Sequence, residues 1–96
     1  MYTNDLRPEV KAAILATIES LLDGYALDSC SIKVEPDDFG GEGIFIHLDY
    51  NKSVQTFDSE LGMELLSRLI VQLVDMGEHR FPFIRHHFQP DQKKRA

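Results

Sequence analysis

A histidine and a carboxylate share one face of a predicted strand. Residues 43–50 alternate between apolar and polar side chains, which is the period of a half-buried strand, and His47 and Asp49 both fall on its polar side. A histidine beside a carboxylate can act as a general base. No serine or cysteine nucleophile is clearly placed beside the pair, so catalysis by His47 and Asp49 is an alternative and not the main prediction.

Cys30 is the only cysteine, which excludes an intramolecular disulfide and a zinc site built from several cysteines. Residues 28–36 alternate in the same way as residues 43–50 and place Cys30 on the apolar side with Ile32 and Val34. We therefore expect a small buried hydrophobe there and not a nucleophile. The lack of a disulfide framework is consistent with a reducing compartment, and we expect a cytoplasmic location.

Other groups that could bind a metal or a phosphate do not form a recognised pattern. The loop acids Asp37, Asp38 and Glu42 lack the spacing of a calcium-binding loop. His86 and His87 are adjacent and would point to opposite faces of a strand, so these two and His79 do not predict a shared ion. The sequence has no phosphate loop, G-x-S-x-G, H-E-x-x-H or C-x-x-C motif, and we predict neither a metal site nor a cofactor.

The C-terminal segment interleaves basic and aromatic residues, which is typical of proteins that stack bases and hold phosphates. Its members are Arg80, Arg85, Phe81, Phe83 and Phe88, together with His79, His86 and His87. The chain as a whole carries a formal charge of −6. Residues 1–78 contain fifteen acids and five bases, whereas residues 79–96 contain one acid and five bases. The acidic body repels polyanions, so nucleic-acid binding through this segment remains a disfavoured alternative.

The apolar periodicity predicts two helices and a hairpin. One helix should run from Pro8 to Asp23 and end at Gly24, and a second from about Asp58 to Met76, capped by Asp58 or Ser59 and ended by Gly77. Turn-forming residues separate the two predicted strands, which indicates an antiparallel hairpin. Because the apolar residues are even-numbered in both strands, we favour the register that pairs Val34 with Ile46 and Ile32 with Leu48.

These elements predict one α+β domain over residues 1–88 and a polar, disordered tail over residues 89–96. Residues 81–88 contain Pro82, which is excluded from the middle of a sheet, and should form a short edge strand or an extended arm. The fold expected is two helices on one face of a small antiparallel sheet, in the order α-β-β-α followed by that strand or arm. No apolar run is long enough to span a membrane.

An uncovered sheet face and the aromatic-basic arm together predict a non-enzymatic interaction module that binds a protein partner or itself, with a homodimer expected. The arm would lie across the acidic body of a second copy, and salt would weaken that contact. The predicted partner-binding residues are Lys33, Glu35, Phe45, His47, Arg80, Phe83, Arg85 and His87. The alternatives are the small enzyme using His47 with Asp49 and the nucleic-acid binder using Arg80, Arg85 and the phenylalanines.

Overall fold

A computed structural model describes residues 6–22, 27–51 and 58–88 of the chain. The elements are α1 (Pro8–Leu21), β1 (Leu27–Pro36), β2 (Glu42–Tyr50), α2 (Ser59–Asp75) and β3 (Phe81–His87). The order α-β-β-α-β and the packing of both helices against the sheet confirm the α+β class. The predicted tail at residues 89–96 lies outside the described residues.

Helix α1 follows from its apolar spacing. Pro8 occupies the first turn, where its missing N–H is not needed, and Val10, Ile14 and Ile18 are buried at intervals of four residues. The helix ends at Leu21, two residues before the predicted end at Asp23. The predicted stop at Gly24 lies outside the described residues.

Helix α2 begins and ends as its sequence predicts. The Asp58 side chain accepts a hydrogen bond from the Glu60 N–H at 3.0 Å and so caps the first turn. At the other end Gly77 adopts φ +77°, and the N–H groups of Gly77 and Glu78 donate to the carbonyls of Val74 and Leu73. This Schellman arrangement requires a left-handed residue after the helix, which favours glycine.

The sheet is mixed, so the predicted antiparallel sheet is wrong in one of its two strand pairs. Strand β2 lies in the centre and pairs antiparallel with β1 but parallel with β3. The physical reason is the connection: α2 carries the chain back along the sheet, so β3 enters in the same direction as β2. Residues 81–87 therefore form an edge strand in the sheet of the same chain. Of the two structures predicted for this segment, an edge strand or an extended arm, the edge strand is confirmed.

The predicted register of the hairpin is also wrong, by two residues. Ile32 pairs with Ile46 and Val34 with Ile44, where the prediction paired each with the apolar residue two positions further along β2. Asp37 determines the difference, because its carboxylate accepts hydrogen bonds from the N–H groups of Phe39 and Gly41 and closes a short loop. Gly40 supplies the positive φ that this loop needs, +87°.

One face of the sheet forms the core with both helices. Ile44, Ile46 and Leu48 of β2 are fully buried there and belong to one apolar cluster with Leu65 and Leu69 of α2. Cys30 is half-buried against this cluster, and burial raises the pKa of its thiol, with the charge of Asp49 acting in the same direction. The apolar placement predicted for Cys30 is confirmed. In the described residues, no helix has the length and apolar character needed to cross a bilayer.

An ion-pair cluster connects the segment between α2 and β3 to the first residue of β2. Glu78 keeps only 9% of its surface exposed and accepts a hydrogen bond from Arg80 Nε at 2.7 Å. The same guanidinium contacts Glu42, the first residue of β2, at 3.4 Å. Hydrogen bonds from Arg80 hold the pKa of Glu78 below its usual range, against the opposing effect of burial.

The Glu78 carboxylate should stabilise the fold at neutral pH and lose this effect in acid. Because its pKa is lowered in the folded state, the contribution exists above the ordinary glutamate pKa and disappears as pH falls through the folded value. We expect Glu78→Gln to lower the free energy of unfolding by about 1–3 kcal/mol at pH 7. The difference from the wild type should shrink between about pH 5 and pH 2.

Urea unfolding at a series of pH values measures this effect. Glu35→Gln is the matched control, because it removes the same charge from an exposed side chain of β1. A deficit of Glu78→Gln that stays constant over the whole pH range would show that the carboxylate charge is not what stabilises the cluster.

Candidate functional site

The odd-numbered residues of the three strands form a second sheet face, here called the open face, which lies opposite the face that packs on the two helices. Its members are Ser29, Ser31, Lys33, Glu35, Gly43, Phe45, His47, Asp49, Phe81, Phe83, Arg85 and His87. Seven of the eight predicted partner-binding residues are among them. Arg80 is the exception, because it precedes β3 and its guanidinium is held by Glu78 and Glu42.

Stacked rings cover one end of the open face. Phe45 and Phe83 are paired across the strands, and their centroids lie 4.8 Å apart with the planes 16° from parallel. Phe81 meets Phe83 edge-on at 5.1 Å, and the Arg85 guanidinium lies 5.6 Å from the Phe45 centroid. The Phe83 ring also lies over Gly43, where a Cβ would come within 2.4 Å of its Cε2. The lack of a side chain at position 43 therefore allows this stack.

Two histidines meet at the other end of the open face. The Nδ1 atom of His47 and the Nε2 atom of His87 are 3.0 Å apart, and one of them donates a hydrogen bond to the other. The carboxylate of Asp49 instead accepts a hydrogen bond from the Ser29 hydroxyl at 2.8 Å. His47 and Asp49 share the predicted face, but their hydrogen-bond partners are His87 and Ser29, so the structure does not assemble a histidine–carboxylate base there.

The aromatic-basic residues considered for nucleic-acid binding divide between the two sides of the sheet. Phe88 stacks on Tyr50 at 4.9 Å on the covered side, where the Tyr50 hydroxyl and His86 Nδ1 are 2.8 Å apart. Burial, and secondarily the neighbouring His87, lowers the pKa of His86. His86 is half-buried and His87 is exposed, as expected for adjacent residues of a strand. Phe83 and Arg85 lie on the open face, so these aromatic and basic side chains do not form one continuous track.

A groove of about 670 Å³ lies between α1 and α2 on the helical side of the molecule. Thr17 donates a hydrogen bond to Gln72 across it at 2.7 Å. Its lining is largely apolar and its charged members, Arg68 and Asp75, lie on exposed positions of α2. The groove holds no pair of converging ionisable groups among the described residues, which makes the open face the better candidate site.

The ring stacks and the histidine pair are features that sequence reasoning missed. It identified most of the residues but predicted an antiparallel sheet, whereas only a parallel β3 aligns Phe83 with Phe45 and brings His87 beside His47. A signal was present, because parallel neighbours in one sheet need a long crossover, usually a helix, and α2 provides such a connection between β2 and β3. Within the described ranges, no three His, Cys, Asp or Glu side chains converge as a metal site.

Comparison with known proteins adds no relative. No protein-family model, curated protein or solved structure shows a significant match to this chain. Functional inference therefore depends on the geometry and chemistry of the open face.

Replacing Gly43 by alanine should disturb the stack of Phe83 on Phe45. The added methyl group overlaps the Phe83 ring, so the ring must move, and we expect a loss of about 1–3 kcal/mol in the free energy of unfolding. Urea denaturation measures the loss. Gly41→Ala is the matched control, because a Cβ there meets only the Asp37 carboxylate at 3.7 Å.

A double-mutant cycle identifies the ring as the cause. In a Phe83→Ala background the main obstacle is gone and only the Phe45 Cε1 atom remains close, at 3.3 Å, so the cost of Gly43→Ala should fall by roughly half or more. An unchanged cost in that background would mean that backbone effects of the alanine, and not contact with the ring, destabilise the strand.

Proposed function

We propose that this protein is a non-enzymatic interaction module that pairs with a second copy of itself through the open face. The observation that carries the proposal is a sheet face that neither described helix covers and that presents aromatic rings together with balanced charges. The uncovered face has two cations, Lys33 and Arg85, and two anions, Glu35 and Asp49.

The charge balance favours a second copy as the occupant. The whole chain carries a formal charge of −6, so two copies repel each other over most orientations. The open face has no formal net charge, and its cations and anions come from different positions on the three strands. Two open faces can therefore approach without net repulsion and place cations of one copy near anions of the other.

The chemistry of the face also fits a protein surface. Phe81 remains 47% exposed, and the partly exposed rings of Phe45 and Phe83 lie beside it. Aromatic residues and arginine are the types that contribute most to protein interfaces. Covering this face removes apolar surface from water and gives the small three-stranded sheet a second packed layer.

The size of the face limits the strength of the contact. All three strands lie side by side only along the seven residues of β3, and at a spacing of about 4.8 Å this region has a footprint of about 300 Å². A stable interface buries about 800 Å² on each partner, so the open face alone belongs with weak, reversible contacts. We therefore propose a monomer–dimer equilibrium that depends on protein concentration, and not a permanent dimer.

Reversing one charge on the open face should weaken the dimer. Lys33→Glu changes the formal charge of the face from zero to −2 on each copy, so two faces repel each other. Sedimentation equilibrium over a range of protein concentrations should show a dimer for the wild type and mostly monomer for Lys33→Glu. Lys11→Glu makes the same change in total charge on the exposed side of α1 and should leave the dimer intact.

The effect of salt on dimerisation distinguishes face-to-face pairing from a contact in which the basic arm of one copy lies across the acidic body of the other. Salt screens the repulsion between the two acidic molecules, so face-to-face association should hold or strengthen as ionic strength rises. Association through a basic arm on an acidic body should weaken under the same change. A wild-type protein that stays monomeric at every concentration and salt level would contradict the proposal.

A further inference from the structure

The facing ring nitrogens of the two histidines of the open face lie close together. His47 Nδ1 and His87 Nε2 lie 3.0 Å apart, and the ring planes are 13° from parallel with centroids 5.2 Å apart. Each ring is carried by a strand of the same sheet, so backbone hydrogen bonds fix their separation. His87 is exposed and His47 is partly exposed, so an ion in solution can reach both nitrogens.

We propose that His47 and His87 bind one divalent transition-metal ion of the zinc, nickel or copper class between Nδ1 and Nε2. Imidazole nitrogens bind zinc at about 2.0–2.1 Å, so two of them on one ion lie about 3.4 Å apart in a tetrahedral site and about 2.9 Å apart at a right angle. The observed separation of 3.0 Å falls between these two values. To point at one ion, each lone pair must turn by about 35–45° away from the line that joins the two nitrogens, which is the base angle of the N–metal–N triangle.

Binding requires that the hydrogen bond between the rings be given up. In the neutral pair one of the two facing nitrogens carries a proton, and the metal needs a lone pair on both. That proton moves, through water, to the far nitrogen of its own ring. Each imidazole then remains neutral and donates its free lone pair to the ion, so the step releases no net proton.

The surroundings provide both charge support and open coordination positions. Asp49 is the register partner of His87, and its negative charge lies on the same face as the ion. Arg85 is the register partner of His47, but its guanidinium lies over the Phe45 ring. Since no third ligand of the described residues converges on the pair, water or another molecule must fill the remaining positions.

A second copy of the chain, docked on the open face, can supply the remaining ligands of the ion. In a face-to-face dimer, His47 and His87 of the other copy can complete a site of four imidazoles around one ion. This completion rests on the proposed function, whereas binding by the single pair does not. One ion per two chains is then the expected stoichiometry.

Zinc titration of the full chain by isothermal calorimetry tests the pair. We expect saturable binding by the wild type and at least about tenfold weaker binding by both His47→Gln and His87→Gln, because each removes a ligand. His79→Gln is the matched control, since it removes an exposed histidine that precedes β3 and should leave the affinity unchanged. Thermal melting of each variant without zinc verifies that the fold is retained.

Two results would overturn the site: no saturable binding by the wild type, or equal affinity in the wild type and in both pair variants.

Sedimentation with zinc and with a chelator tests separately whether the metal bridges two copies of the chain. A dimer with one zinc per two chains supports four-imidazole coordination. One zinc per chain on a monomer refutes the bridging while leaving the two-histidine site established. An equal dimer population in zinc and in chelator supports the open-face contact but refutes bridging by the metal.

Discussion

The architecture depends on an even offset between the central strand and the strand that follows α2. Residues of β2 pair with residues of β3 that are 38 positions further along the chain, as Phe45 does with Phe83. Since side chains alternate with a period of two, an even offset keeps even-numbered residues of both strands on the helical side. An odd offset would send His86 to the open face and Phe83 into the core. The two surfaces of the sheet thus depend on one register.

Ring contacts on both faces of the sheet stabilise the pairing of β2 with β3. On the covered side Tyr50 stacks with Phe88 and contacts His86, and on the open side Phe45 stacks with Phe83. Ring pairs of this kind contribute about 0.5–1.5 kcal/mol each beyond their buried area. Parallel pairs are slightly less stable per residue than antiparallel ones, so side-chain contacts on both sides reinforce an edge strand that has one neighbour. The Arg80 cluster adds a third contact at the start of the same pair.

Much of the fold followed from alternation and helical periodicity. Both helices and the inward direction of Ile32 and Val34 are apparent from where apolar residues recur, because burial selects for them directly. The hairpin register did not follow, because parity allows any even shift and the choice is made by the Asp37 loop. The direction of β3 did not follow either, because its own residues are compatible with both directions and the connection through α2 decides between them.

The candidate site, like the fold, could be predicted from the sequence only in part. Parity alone placed Lys33, Glu35, Phe45 and His47 on one face, but a contact between β2 and β3 requires knowledge of which residues are partners. His47 was assigned to Asp49 because the two are close in sequence, whereas the sheet offers His47 a second imidazole from a residue 40 positions away. For a residue on a central strand, cross-strand neighbours are as near as those along its own strand. A pair of interacting side chains inferred from one strand alone therefore leaves out the side chains of the neighbouring strand.

The arrangement of the open face argues against a purely solvated surface. A face that needs only to remain in water is served by charged and small polar residues, and the Ser29, Ser31 and Asp49 corner has this character. The opposite corner is different, because a glycine at position 43 is matched to a phenylalanine ring at position 83. A glycine in a strand costs about 0.5–1 kcal/mol through its backbone freedom, and the ring stack that this glycine admits contributes about 0.5–1.5 kcal/mol in return. An arrangement that leaves Phe81 half-exposed beside a built ring stack is accounted for if the rings meet a partner, because burial at the contact then recovers the apolar surface that the strand leaves in water.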